Sequence, residues 1–502
     1  MTFTFPKNTL SILLSGLFLI AFLGTFSCHR TGANKTTSST TVPLPQQDHR
    51  RAKNPLSDYV YSPDDVFEYE VVHQVQKEGY KFYVLKMISQ EWLTTSEVTD
   101  PVWWHWVSVV VPDGETPDTG LLFISGGSRN SKMPTDADGE ILQIAQHSHS
   151  VVAKLHNVPN QPTVFKDDDF GPRVEDELIA YGWRQFLEAG GGDENAEWLA
   201  RLPMTKAAVR AMDAITDLTI QVNAVNPVTK YVVAGGSKRG WTTWTTGATD
   251  KRVVAIAPIV IDLLNLVPSF NHHWQAYGRW ADAIHDYNQE GIMEWQGSAE
   301  YDDLARLSDP YNYLDQLTLP KLLLNATGDQ FFLPDSWQFY WDDLKGESHL
   351  RYVPNTDHGM DHSDALESLV SFYQMILADQ ERPEFDWTVR DGVTTIQTRK
   401  GPQPTSVKLW SAHNPDARNF QLKQIGEAFK AQEIPLNDRG KYILSIDTPD
   451  QGWTAYFVEL TYPGVSGIPL KLTTGTVVLP DSYPYPRFES KKPMGHMQVG
   501  AQ

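Results

Sequence analysis

The sequence predicts an α/β fold, a doubly wound and mainly parallel sheet with helices on both faces. Three observations predict it. From Thr119 to His358, short apolar runs alternate with capped helical segments, the order expected when parallel strands are joined by crossover helices. The stretch Lys230–Gly240, KYVVAGGSKRG, leads from β-branched residues through paired glycines to Ser237 and into the helical text WTTWTTGATD. Asp329 and His358 each follow a later apolar run, in KLLLNATGDQFF and RYVPNTDHG. A serine on a sharp strand-to-helix turn, followed in chain order by an acid and a histidine, is the nucleophile-elbow arrangement of α/β-hydrolases.

The elements follow in order. Lys7 precedes the apolar run Leu10–Phe26, so residues 1–27 read as an export signal. Cys28, the only cysteine, stands where a bacterial lipoprotein is acylated, although Thr25 occupies a place where leucine is usual. A simply cleaved signal and a retained anchor are the alternatives, and the run is at the short end for crossing a bilayer. Residues 28–54 are rich in Ser, Thr, Gln and cations without periodicity, and read as a flexible linker. A hydrolase domain is expected over 55–381. It opens with the alternating segments VFEYEVVHQV, YKFYVLKMIS and HWVSVVV, which predict antiparallel strands. TGLLFISGGSRN predicts a buried strand ending at Gly126-Gly127. A helix is expected from Ile141 and a strand within His147–Asn157. Pro172 with Glu175, Asp176 and Glu177 marks a helix start, where acids favour the positive end of the dipole. A second helix, KAAVRAMDAITDLTIQVN, leads into the elbow strand. RVVAIAPIVID is the next strand, and residues 265–315 form an aromatic-rich insertion placed to cap the active site. Beyond residue 381, short alternating strands divided by Gly, Pro and Asp turns predict a β-sandwich (Ig-like) over 382–488, with a tail at 489–502.

The chemistry assigns roles. Ser237 is the candidate nucleophile and needs a base, because a free hydroxyl is too weakly acidic to attack an acyl carbon. His358 is the candidate base and Asp329 the candidate orienting acid, with Asp262, at the end of the strand after the elbow, as the alternative. The oxyanion donors are expected to be the Lys238 amide and the Gly126-Gly127 loop. Arg239 and Trp274 are candidate substrate contacts; Lys238 and Arg239 either hold an anionic substrate or pair with local acids, and the cap aromatics either meet substrate or pack together. The elbow departs from G-x-S-x-G: Gly235 is two before the serine, but Arg239 is two after it and the glycine comes at Gly240. Asp167-Asp168-Asp169 lacks the spacing of a calcium loop, and His272-His273 lacks a helically spaced carboxylate, so no catalytic metal is expected. No cofactor is expected either.

Charge narrows the partners. The net charge of the 502 residues is −20. The first 54 residues carry six cations against Asp48 alone, which leaves the remainder at about −25. A body that acidic repels phosphate backbones, so nucleic acid is excluded as a partner. The expected partner is a small-molecule or saccharide-linked ester, with membrane contact only through the amino-terminal signal or lipid. The expected location is the bacterial cell envelope or periplasm, anchored at Cys28.

LSDYV (Leu56–Val60), SQEWL (Ser89–Leu93), WWHW (Trp103–Trp106), LPMTKAAVRAMD (Leu202–Asp213), GGSKRGWTTW (Gly235–Trp244) and VKLWSAHNPDARNF (Val407–Phe420) carry a resemblance. Through them the chain resembles the PhoPQ-activated pathogenicity-related protein family, exported α/β-hydrolase-like proteins found mainly in bacteria. Where that family's pattern is Arg-Asp-Phe, this chain has Arg418-Asn419-Phe420. The elbow is also similar to that of glucuronoyl esterases over a few residues. The resemblance implies a hydrolase-like protein and names no substrate. A serine hydrolase acting through an acyl-enzyme, on esters rather than peptides, is the first expectation; a non-catalytic binding or signalling protein on the same scaffold is the second.

Overall fold

Continuous apolar text in the middle of a sheet and alternating text at one flank are what a sheet with a covered centre requires. The computed structural model describes residues 47–390 and 392–498, and its main sheet has that form. The flank comprises β1 (Glu68–Lys77), β2 (Tyr80–Glu91) and β3 (Val102–Pro112), paired antiparallel. Then come β4 (Thr119–Ile124) and β5 (Val152–Leu155). A short ribbon of β6 (Thr163–Val164) and β7 (Pro172–Arg173) stands apart. The sheet continues with β8 (Lys230–Gly236), β9 (Val253–Ile259), β10 (Lys321–Ala326) and β11 (Ser348–Val353). The spatial order of its nine strands is β1-β2-β3-β5-β4-β8-β9-β10-β11, parallel from β5 onward. Every residue of β10 is buried, as its unbroken KLLLNA text requires.

The chain leaves β4 in one direction to reach β5 and later builds β8 to β11 in the other. A topological switch therefore lies between β4 and β8. Loops diverge there at the carboxyl edge and leave a crevice, which is where open α/β sheets bind ligands.

After α1 (Pro55–Val60), the sheet-covering helices are α2 (Gly139–Ser148), α3 (Glu175–Glu188), α4 (Arg201–Gln221) and α5 (Lys238–Thr249). The insertion contributes α6 (Leu266–Tyr277), α7 (His285–Gln289) and α8 (Ala299–Ser308), and α9 (Ala365–Leu377) follows β11. Alternate strand residues face two cores: Leu322 and Leu324 join α2 and α9 on one side, whereas Leu323 joins α4 and α5 on the other. Helix α5 is buried along its whole length despite five threonines. Their hydroxyls donate to carbonyls within the helix, as Thr243 Oγ1 does to Arg239 O at 2.9 Å and Thr246 Oγ1 to Thr242 O at 2.7 Å, so none of the five hydroxyls is stranded.

The carboxyl-terminal part holds two sheets. β12 (Glu384–Arg390), β13 (Val393–Lys400) and β16 (Lys441–Ser445) form one; β14 (Ser406–Asn414), β15 (Lys430–Ile434), β17 (Trp453–Tyr462), β18 (Leu470–Thr473) and β19 (Val477–Leu479) form the other. α10 (Leu422–Ile425) lies between β14 and β15. Ile396 and Tyr442 of the smaller sheet share a core with Tyr456, Val458 and Leu460 of β17. The intervening Ala455 and Phe457 join the core on the other side, with Tyr352 of β11 at 6.4 Å from Phe457. β17 is thus covered on both faces. The terminal residues run back over the cap: Met494 N–H donates to Glu294 O, Ala299 N–H to His496 O and Gln498 N–H to Gly297 O.

Candidate active site

The β8 strand and the α5 helix cross so closely that no side chain fits between them. A Cβ on Gly235 would sit 2.8 Å from Arg239 O, and one on Gly240 would sit 2.9 Å from Ile259 O. The chain therefore turns sharply at Ser237, which takes φ 57° and ψ −124°. This is a sparsely populated conformation for a residue with a side chain, and it is held by its surroundings. Ser237 N–H donates to Ile259 O at 2.8 Å and Ser237 O accepts from Trp241 N–H at 3.0 Å. The displaced glycine is explained. The backbone of residue 239 packs against Gly235 while its long side chain leaves toward Gly126, and Gly240 supplies the second close approach.

Asp329 follows β10 and His358 follows β11, so parallel pairing delivers both to the edge that carries Ser237. His358 Nδ1 lies 2.8 Å from Asp329 Oδ2. Asp329 Oδ1 accepts from Phe331 N–H at 2.7 Å and Phe332 N–H at 3.3 Å, which aims the carboxylate. A proton on Nδ1 leaves Nε2 as the basic nitrogen. Nε2 is buried and has no hydrogen-bond partner among the described residues, so no bond to Ser237 Oγ is formed. Phe331 flanks the ring at 4.3 Å between centroids. The alternative acid has other partners. Asp262 accepts from Tyr340 OH at 2.5 Å and from Tyr352 OH, and burial raises its carboxyl to about 7.

Lys238 begins α5, and amides in the first turn of a helix have no intrahelical acceptor. Gly126 and Gly127 follow β4 with their carbonyls occupied: Gly126 O accepts from Asn157 N–H at 2.8 Å and Gly127 O from Gln161 Nε2 at 2.9 Å. Their own N–H groups donate to no described residue. The side chains at 238 and 239 pair with local acids, one of the two expectations for them. Arg239 donates from both terminal nitrogens to Glu175, at 2.7 and 2.6 Å, and from Nε to Val158 O at 2.5 Å. Lys238 Nζ bridges Glu175 at 2.9 Å and Asp176 at 3.0 Å. Burial alone would raise the Glu175 carboxyl, but Arg239 and Lys238 outweigh it and bring it down to about 2. Glu175 also accepts from Gln161 Nε2 at 2.5 Å. One carboxylate thus links the elbow to the Gly127 loop. Glu175 and Gln161 carried no sequence signal beyond a helix start, because their partners are distant in the chain.

A cavity of about 440 Å³ is bordered by Gly126, Gly236, Arg239 and His358, with Val260 and Met360 among its apolar walls. Val260 has φ +43°, a strained value for a β-branched residue at the edge of a site. Trp274 packs 5.0 Å from Trp280 and 4.9 Å from Phe488, the packing arrangement open to a cap aromatic. Asp168 pairs with Arg173, His272 Nε2 lies 2.9 Å from Asp335 Oδ1, and His273 Nε2 accepts from Ala281 N–H. Cys28 lies outside the described residues.

Sheet order, switch-point crevice and serine turn together define an α/β-hydrolase fold with a cap insertion and a carboxyl-terminal β-sandwich. The chain belongs to the PhoPQ-activated pathogenicity-related protein family, which it matches over residues 56–421. It is 37% identical over 461 residues to autocrine proliferation repressor protein A of Dictyostelium discoideum, covering 86% of this chain and 91% of that protein. Among solved structures, acetyl xylan esterase 1 from Thermoanaerobacterium sp. JW/SL YS485 is similar at 14% identity and a TM-score of 0.43, covering 64% of this chain and 91% of that one. A glucuronoyl esterase from Solibacter usitatus is similar at 13% identity and a TM-score of 0.37, covering 67% and 90%.

Proposed function

We propose that the protein is an exported serine hydrolase that cleaves a carboxylic ester through an acyl-enzyme. The observation that carries this reading is the backbone of Ser237, held at φ 57° on the strand-to-helix turn beside the switch-point crevice. In the proposed reaction His358 Nε2 takes the hydroxyl proton as Ser237 Oγ attacks the ester carbonyl. Asp329 keeps the imidazole in the required tautomer and stabilises its cation. The Lys238 amide and a Gly126 or Gly127 amide receive the oxyanion, aided by the positive end of α5. The imidazolium then protonates the departing alcohol, and water, activated by the same nitrogen, releases the acid. The bond from Ser237 to His358 forms as substrate enters, since catalytic hydrogen bonds commonly tighten only in the complex. Export through residues 1–27, with lipid attachment at Cys28, completes the proposal.

The second reading is a non-catalytic signalling protein on the same scaffold. The name of the Dictyostelium relative, an autocrine proliferation repressor, favours it. A fluorophosphonate probe separates the two: labelling of the wild type and not of Ser237→Ala is expected of the hydrolase, and labelling of neither sinks it. A panel of p-nitrophenyl esters, uronate esters and peptide amides then identifies the substrate class.

A further inference from the structure

The β-sandwich module touches the two loops that carry the candidate acid and base, and it does so through main-chain and buried polar contacts. The acid loop is held at both ends. At its start, Gly328 O accepts from Leu422 N–H at 2.9 Å while Gly328 N–H donates to Thr356 O at 2.9 Å. A Cβ on Gly328 would lie 2.8 Å from Leu422 N and 2.9 Å from Thr356 O, so this residue is wedged between the module and the histidine loop. At its far end, Asp335 receives Arg418 Nη2 at 2.5 Å, with both side chains buried.

The histidine loop is tied to the module through the side chain of Asn355. Asn355, three residues before His358, sits at φ +57°, a conformation asparagine tolerates better than most residues. Its amide makes two bonds to a single residue of the module: Nδ2 donates to Phe429 O at 3.0 Å, and Oδ1 accepts from Phe429 N–H at 2.9 Å. Asn355 N–H donates to Thr327 Oγ1 at 3.0 Å, which ties this loop to the acid loop as well. Phe429 is itself buried against Phe457 of β17, at 5.8 Å between ring centroids. A loop standing alone opens readily, whereas one pinned to a packed sheet does not.

We propose that the segment Arg418–Phe429 is a positioning element of the active site, with Asn355 as the positioning residue that it holds. The module serves the chemistry of the hydrolase sheet by fixing where the imidazole stands. This inference rests on the hydrolytic reading above, and its test separates the two. Asn355→Gly keeps the left-handed backbone and removes both bonds; Asn355→Asp keeps the shape but turns the donor into a carboxylate oxygen that faces the Phe429 carbonyl.

With a p-nitrophenyl ester as substrate, Asn355→Gly is expected to lower kcat about 100-fold with KM within about twofold, because small misplacements of a reacting group cost on that order. The acid limb of its pH–rate profile is expected to move, and Asn355→Asp, which sets an anionic oxygen against the Phe429 carbonyl, to lose kcat as well. Hydrogen exchange, which needs no turnover, is expected to quicken in residues 327–335 and 354–360 of the intact Asn355→Gly protein. Wild-type kcat and pH profile in Asn355→Gly, with Ser237→Ala dead, would overturn the positioning role and leave the hydrolase standing. Unchanged exchange in both segments would overturn it even if no ester were cleaved.

Discussion

Two buried carboxylates near the carboxyl edge of the sheet show how environment divides labour between residues of one type. Asp329 touches the imidazole and two backbone amides, whereas Asp262 is enclosed by tyrosine hydroxyls. On the hydrolytic reading, Asp329→Asn should reduce kcat/KM by about 10⁴, the loss expected when the imidazole adopts the wrong tautomer. Asp262→Asn should leave it within about tenfold; the reverse ranking in steady-state kinetics would reassign the acid. Asp262 also predicts a pH dependence of stability. Its folded value is raised to about 7 from an ordinary 3.8, mainly by burial. The native state therefore keeps a proton that the unfolded chain has lost, and this group's contribution to stability falls as pH rises between those values. Urea midpoints measured from about pH 4 to 8 should decline less steeply in Asp262→Asn than in the wild type. Parallel curves would show that the carboxyl titrates normally.

At the scale of elements, the elbow is a junction in which glycine positions are set by the crossing of β8 and α5. The sequence shows an arginine where a small residue is usual; the structure shows that its backbone and Cβ meet Gly235, while the rest of its side chain reaches Glu175. Gly240→Ala brings a Cβ to 2.8 Å from Ile261 Cγ2 and 2.9 Å from Ile259 O, and that carbonyl cannot move without displacing β9. A cost of about 1–3 kcal/mol is expected from such overpacking, read as a shift in denaturation midpoint at constant slope. Loss of fluorophosphonate reactivity should accompany it, since the serine turn moves with the helix. The crossover pattern, the helix at Glu175 and the strand before the elbow were all legible, because each depends on local periodicity and turn chemistry. The two-sided burial of β17 was not, because its alternating-looking text is covered on one face by the module and on the other by the hydrolase sheet.

For the whole molecule, the question is whether the hydrolase part and the β-sandwich stand separately. Arg351 of β11 pairs with Glu459 of β17 and, at 2.9 Å, with Asp364. The side chains of Arg351 and Glu459 are almost fully buried. Removing one partner strands the other charge out of water, so Arg351→Met should destabilise by about 3–5 kcal/mol. Calorimetry should show one transition in the wild type, with both parts melting together. Two well-separated transitions in the wild type would contradict a shared core.

The sequence by itself determined the fold class, the order of serine, acid and histidine, and the edge of the sheet at which they gather. Those properties follow from residue spacing and strand direction, which are local and additive. Only the tertiary structure decided that Asp329 meets His358 while Asp262 does not, and that Glu175 pairs with both cations of the elbow, sharing Lys238 with Asp176. It alone decided, too, that Phe429, just before β15 of the carboxyl-terminal module, holds the loop before the imidazole. A partner 64 residues away, as Glu175 is from Arg239, is chosen by where packed layers bring loops together, and no window of sequence contains that information.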